Sequence, residues 1–399
     1  MGNIAIKQRH VGVGAFTATE SMINSVEEVL RSGVISYGAV SKEFEKRFAD
    51  MHNCNYGILS NSGTSALLVA LQALKDIHGW KDGDEVIVPA TTFVATANIV
   101  VHNHMKPVFV DVDPLYYGMN PQLMKSAITE RTRAVIPVHL FGQACDMTSI
   151  LKIAGENGLK VLEDSCESMF VTHNGKKVGS MGDIGCFSTY VAHLLVTGVG
   201  GMCTTNNPDY AAKIRSLVNH GLEIEQLNPN DNFSPQPTTG RRFKFDANGH
   251  SFRITELEAA IGLSQLDTIG FALALRSRNA RHYTAGFRII NNAYGDLFHV
   301  PLIMPTNTHA WMIYPIVLKK GMDKEPLMAY LNERDIETRD MMPILTQKAY
   351  SYLNPDDYPY SKWICESGFY LGVHNDLEPS DIQYVLQTIE DWIGTWWGE

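Results

Sequence analysis

The sequence predicts an α/β protein: a large, mostly parallel sheet domain followed by a smaller α/β domain. Three observations carry this. From about Tyr56 to Asn206, short apolar runs of strand length alternate with segments of helical periodicity, the pattern of a parallel sheet joined by right-handed crossovers. After Leu266 a long helical stretch leads into a second set of strand and helix patterns of different composition. A chain of 399 residues is long enough for both cores. The expected division is 1–265 and 266–399.

In chain order, Glu20–Arg31 places Met22, Ile23, Val26, Val29 and Leu30 at helical spacing, with Gly33 as the stop. Gly33-Val34-Ile35-Ser36-Tyr37-Gly38 is a turn-rich link. Tyr56–Leu59 reads as a strand entering Ser60-Asn61-Ser62-Gly63-Thr64-Ser65 and a helix over Ala66–Leu74. Small hydroxyl residues and glycine at a helix start expose backbone N–H groups at the positive end of the helix dipole, a ready anion site; an ordinary N-cap without a ligand reads the same way. Strand patterns follow at Asp84–Pro89, Val108–Val110 and Ala134–Val138, and Thr91–Thr96 opens a helix. Met202–Thr205 is a further strand and Pro208–Asn219 a helix. The polar, aperiodic run Glu223–Gly249 is expected to be a long functional loop or lid. A helix is expected from Ser251, then the long helix to Asn291, a strand over Trp311–Leu318, and helices over Lys324–Arg334 and Pro379–Ile393.

Composition narrows the function. Hydrophobic content of 45% with 19% charged residues is ordinary for a soluble enzyme. A formal charge of -10 argues against nucleic acid as a partner, because phosphate contacts need basic density. The chain has neither a run of membrane-span length nor a signal-peptide core. The six cysteines lack CxxC spacing, so neither a disulfide framework nor a metal site is expected. In particular, Cys145, Cys166, Cys186 and Cys203 do not form an iron–sulfur pattern. These readings point to a reduced, cytoplasmic enzyme.

The chemistry concentrates in Leu159–Met202. A buried-strand pattern, Leu159–Leu162, delivers Glu163 and Asp164 at its C-terminal end. A second apolar run, Ile184–Tyr190, leads to His193 and the Gly-rich Gly198–Gly201. In open α/β sheets ligands sit outside the carboxyl ends of the strands, so acid, hydroxyl and imidazole are expected to converge there.

With these motifs the chain resembles, over almost its whole length, the DegT/StrS-type family of sugar aminotransferases and dehydratases dependent on pyridoxal or pyridoxamine 5'-phosphate. The resemblance implies the fold-type I architecture of aspartate aminotransferase-like enzymes. It gives Gly63, Thr64, Ser65 and Ser188 to the cofactor phosphate, and Phe93 to stacking on the pyridine ring. It pairs Asp164 with the ring nitrogen, where a carboxylate keeps that nitrogen protonated. Glu167 takes the place of a glutamine bonded to the ring hydroxyl. Ser251 stands where family members have an asparagine that reaches a neighbour's cofactor phosphate across a dimer. The resemblance further implies a homodimer, a nucleotide-sugar substrate and an amino donor such as glutamate.

One departure from the family bears most on function. The lysine that holds the cofactor covalently falls, in Phe187-Ser188-Thr189-Tyr190-Val191-Ala192-His193, on His193. Imidazole offers no primary amine, but it transfers protons near neutral pH. In this family a histidine there marks enzymes that use pyridoxamine phosphate to remove the C3 hydroxyl of a nucleotide-linked 4-keto-6-deoxy sugar. Ala192-His193 and Val199-Gly200-Gly201 depart from the paired histidines and the E-G-G of those dehydratases. Other readings stay open: an aminotransferase with a non-covalently held cofactor, a catalytically silent nucleotide-sugar binder, and an engineered variant of a lysine enzyme. Lys176 and Lys177, the substitute amines, are expected in a solvated hairpin turn.

Overall fold

The computed structural model describes residues 10–224, 244–319, 321–342 and 344–396. Two helices come first, α1 (Glu20–Ser32) and α2 (Ala39–Met51). The large sheet is then laid down by β1 (Tyr56–Ser60), α3 (Gly63–His78), β2 (Glu85–Pro89), α4 (Val94–His102), β3 (Lys106–Val110), α5 (Pro121–Ser126), β4 (Thr132–Val135), α6 (Met147–Glu156) and β5 (Lys160–Asp164). A small hairpin, β6 (Thr172–His173) and β7 (Lys176–Lys177), precedes β8 (Ile184–Ser188) and β9 (Gly201–Thr205). Among the described residues the sheet has seven strands in the order β1-β9-β8-β5-β4-β2-β3. Strand β9 runs antiparallel to both of its neighbours, β1 and β8; the pairs from β8 to β3 are parallel.

Both faces of the sheet are covered, which is why β1, β2, β8 and β9 are buried at every position. Alternation along each strand divides the side chains between two cores. Ile58, Cys186 and Cys203 pack with Leu67, Leu71 and Leu74 of α3. Their neighbours Leu59, Phe187 and Met202 face Phe44 and Phe48 of α2 on the other side. The chain continues through α7 (Pro208–Leu217), α8 (Glu256–Gln265) and the long α9 (Ile269–Tyr294).

A second, antiparallel sheet has the order β10-β11-β13-β12, built from β10 (Phe298–His299), β11 (Tyr314–Leu318), β12 (Thr338–Asp340) and β13 (Gly368–Leu371). It packs against α9, α10 (Glu325–Asn332) and α12 (Pro379–Trp396), with Tyr283, Phe287, Tyr314, Phe369 and Ile389 at its centre. Helix α11 (Pro359–Ser367) is tied to the large sheet by Asp111, which accepts from the Tyr360 and Ser361 N–H groups at 2.9 and 2.8 Å. The N-terminal segment joins this half of the molecule as well, through a bridge between Val11 and Ile336.

Some local expectations change. Helix α8 begins at Glu256 rather than Ser251, because Thr255 is its N-cap and Glu258 reaches back to the Thr255 N–H at 3.1 Å, a capping box. Ser251 instead bridges Asn219. The expected strand at Trp311 starts only at Tyr314, because Trp311 has a left-handed φ of 52°. Lys176 and Lys177 form β7, and Asn174-Gly175 makes the turn. Most of the expected lid, residues 225–243, lies outside the described residues; its flanks are joined by the Leu222–Phe245 bridge. No described helix is long and apolar enough to cross a membrane.

Candidate active site

The carboxyl ends of β1, β2, β5 and β8 open onto one edge, and antiparallel β9 begins there. Backbone contact brings the first two turns of this edge together. A Cβ on Gly63 would lie 2.6 Å from Cβ of Ser188 and 3.0 Å from Sγ of Cys166, and one on Gly201 would collide with the Ser62 carbonyl. Only glycine lets α3 start so close to β8 and β9. Ser62 is the N-cap of α3, accepting from the Ser65 N–H at 3.0 Å and donating to the Ser65 hydroxyl at 2.9 Å. Gly63 and exposed Thr64 open the first turn, where N–H groups have no intrahelical partner. Gly63 and Ser188 are thus direct neighbours, and Thr64 and Ser65 follow on the same turn.

Strand alternation separates the two carboxylates at the end of β5. Glu163, fully buried, accepts from the N–H groups of Gly179, Met181 and Gly182 at 2.9, 2.8 and 2.6 Å, and from His139 Nε2 at 3.0 Å. The Cys145 N–H donates to Nδ1 of His139 at 3.1 Å, so Nε2 carries the proton given to Glu163. Glu163 therefore belongs to the folded framework. Asp164 faces the other way. Thr96 Oγ1 donates to its Oδ2 at 2.8 Å and the Cys166 N–H to its Oδ1 at 3.2 Å. Burial pushes its pKa up, opposed by those two hydrogen bonds. A buried carboxylate of this kind favours a cationic partner.

Glu167 accepts from the Phe141 N–H at 2.9 Å. Burial raises its pKa to about 8, so at neutral pH its carboxyl keeps a proton and can donate a hydrogen bond. Phe93 is the N-cap residue of α4 and is 61% exposed. It is therefore not a core residue, and it stands one turn from Thr96, the partner of Asp164.

His193 lies in the loop between β8 and β9, its N–H donating to the Tyr190 carbonyl at 2.9 Å. The residue is partly buried, and its Nδ1 is buried without a hydrogen-bond partner among the described residues. Burial lowers the imidazole pKa to about 4, leaving a neutral ring at neutral pH. The two substitute amines form β7 of the small hairpin. Lys177 is partly buried rather than solvated, its Nζ donating to the Phe170 carbonyl at 2.9 Å, and Lys176 is exposed.

Ser251 stands apart from this cluster. It is exposed, its hydroxyl accepts from Arg253 at 3.2 Å, and it lines a cavity of about 450 Å³ with Ile35, Ser36, Tyr37 and Arg215. Sequence reasoning missed the supports of this cavity. Arg215 donates to Tyr37 Oη and to Glu45 Oε2, both at 2.9 Å, and Tyr37 donates to the same carboxylate at 2.6 Å. Glu256 accepts from the N–H groups of Gly38, Val40 and Ser41 at 2.8, 2.9 and 2.9 Å. The available signal was Glu45 lying between Phe44 and Phe48 on the apolar stripe of α2. Thr96 carried no such signal.

Residues 17–390 match the DegT/DnrJ/EryC1/StrS aminotransferase family. The chain is 35% identical over 360 residues to GDP-perosamine synthase of Caulobacter vibrioides, covering 90% of this chain and 91% of that one. Among solved structures it resembles the aminotransferase from Psychrobacter cryohalolentis, with a TM-score of 0.86, 28% identity and 97% and 99% of the two chains covered. It also resembles a GDP-4-keto-6-deoxymannose-3-dehydratase with a trapped PLP-glutamate geminal diamine, with a TM-score of 0.85, 25% identity and 95% and 100% covered. An α/β chain with this sheet, matched along nearly its whole length, belongs to the DegT/DnrJ/EryC1/StrS aminotransferase family.

Proposed function

We propose that this enzyme is a pyridoxamine-phosphate-dependent 3-dehydratase of a nucleotide-linked 4-keto-6-deoxy sugar, with His193 as its acid–base residue. The observation that carries the reading is His193 itself: an imidazole at the family's lysine position, neutral at physiological pH, with Nδ1 buried and unpartnered. Such a group is unprotonated at neutral pH, as a general base must be, and cannot form the covalent link.

The residues present fit the cofactor. Gly63, Thr64, Ser65 and Ser188 form a helix-start cradle suited to a phosphate. Buried Asp164 suits a protonated ring nitrogen, exposed Phe93 suits stacking, and Glu167 in its neutral form can donate to a ring oxygen. When bound, the cofactor supplies an electron sink for proton loss beside its amine. The chain's own part is to orient Asp164 through Thr96 and Cys166, and to take a proton on the His193 imidazole and return it to the departing C3 hydroxyl. The dehydratase solved with PLP and glutamate supports glutamate as the donor that restores the amine.

The proposal includes a homodimer to which Ser251 contributes, a cytoplasmic location, and a division at 265/266. That division is supported by the break between α8 and α9 and by the separate antiparallel sheet. A second reading, a sugar aminotransferase with a non-covalent cofactor, is favoured by the 35% identity to GDP-perosamine synthase. The cofactor link is tested by borohydride treatment followed by denaturation and peptide mass spectrometry. All cofactor should leave the chain; a pyridoxyl group fixed to any lysine contradicts both readings.

A further inference from the structure

We infer that Gln265, the last residue of α8, is a positioning residue for His193. This rests on the acid–base role proposed above. His193 sits in a twelve-residue excursion, 189–200, between β8 and β9. Its base is closed by the Thr189 N–H on the Gly200 carbonyl at 2.9 Å, the Thr197 N–H on the Thr189 carbonyl at 2.8 Å, and the two threonine hydroxyls at 2.6 Å. Gly200, at φ 153°, leaves room for that clamp, since a Cβ there would collide with Thr189 Oγ1. The clamp fixes the stem of the loop, not the segment next to His193.

That segment, Leu194–Val196, is buried, and its backbone is met by a side chain from outside the loop. Gln265 Oε1 accepts from the Val196 N–H at 3.1 Å, and Gln265 Nε2 donates to the Val196 carbonyl at 2.6 Å. The amide thus pairs with both backbone groups of a single residue, three positions beyond His193. The grip is itself oriented, because Nε2 also donates to Ile261 O at 2.7 Å. One turn earlier on α8, Gly262 allows the approach: a Cβ would lie 2.5 Å from Phe44 and 2.9 Å from Cγ2 of Thr197. At its other end α8 carries Glu256, which pins Gly38, Val40 and Ser41. One helix therefore sets the His193 loop against the Gly33–Gly38 link beside the cavity.

The test uses the holoenzyme, with Gln265→Met, a similar volume and helix propensity with neither hydrogen bond, and Gln265→Glu, which keeps only the acceptor. Peptides covering 190–197 should exchange amide hydrogens roughly tenfold faster in the Met variant, the scale of one lost hydrogen bond. The Glu variant should fall between Met and wild type, and peptides of β5 should not change. On a nucleotide 4-keto sugar, kcat should fall roughly ten- to hundredfold with KM unchanged, the effect of a displaced catalytic group. In a His193→Asn background the same substitution should cause no further fall. Unaltered exchange in both variants, or an equal loss of kcat in both backgrounds, overturns the inference. If His193→Asn alone leaves turnover intact, the acid–base reading fails, and the exchange result still decides whether Gln265 holds the loop.

Discussion

Glu163 and Asp164 are adjacent in sequence, buried alike, and differently supplied with partners. Glu163 has four donors and no remaining need. Asp164 is met by Thr96 and Cys166, both neutral, and His193 keeps a buried nitrogen with no partner among the described residues. Buried polar groups are satisfied as a rule, so those left short call for an explanation. One face of the strand end is finished by the fold; on the proposed reading the other is completed by the cofactor. The difference lies in what a mutation should damage, stability on one face and chemistry on the other.

The largest effect is expected on the unfinished face. His193→Asn should lower turnover by roughly 10²–10⁴, the scale for removing an acid–base group, while the protein still binds cofactor, as followed by its absorbance. On the finished face, Glu163→Ala leaves His139 and three N–H groups without their acceptor. It should cost about 3–5 kcal/mol of stability in chemical denaturation, the range for breaking a buried pair. A Glu163 variant that folds normally but loses only activity would erase the contrast. Asp164→Asn removes one charge-assisted partner, worth roughly 1.5–3 kcal/mol; it should impair turnover more than it weakens cofactor retention.

The smallest effect sharpens the comparison through pH. Glu167, raised to about 8 in the folded protein, titrates at about 4.3 when unfolded. Between those values the folded state binds more protons, so this group's contribution is fully present below about pH 4.3 and is lost as pH rises through 8. Without cofactor, Glu167→Gln should flatten the decline in denaturation midpoint across that window and change little at pH 5. An unchanged slope would show that Glu167 ionises normally.

Much of this arrangement was legible because it is local. A glycine and hydroxyl cluster before an apolar helix marks Gly63–Ser65, and an acid at the end of an apolar run marks Asp164. The opposite fates of Glu163 and Asp164 were hidden because the donors to Glu163 come from residues 139, 179, 181 and 182. Thr96 was hidden for the same reason: its partner is 68 residues away. The start of α8 was readable, since Thr255 and Glu258 form a capping box, yet the expected boundary at Ser251 fell five residues too early. Lys177 shows the limit of reading exposure from a turn, because its long stem lets the ammonium reach the Phe170 carbonyl.

The central claim is that His193 turns an aminotransferase framework to dehydration. It is tested most directly by incubating the enzyme with pyridoxamine phosphate, glutamate and a panel of nucleotide-linked 4-keto-6-deoxy sugars, and quantifying deoxy and amino sugar from each by mass spectrometry. The account predicts a 3-deoxy product from one of these substrates and no amino sugar. Amino sugar without deoxy sugar would contradict it and establish the aminotransferase reading in its place.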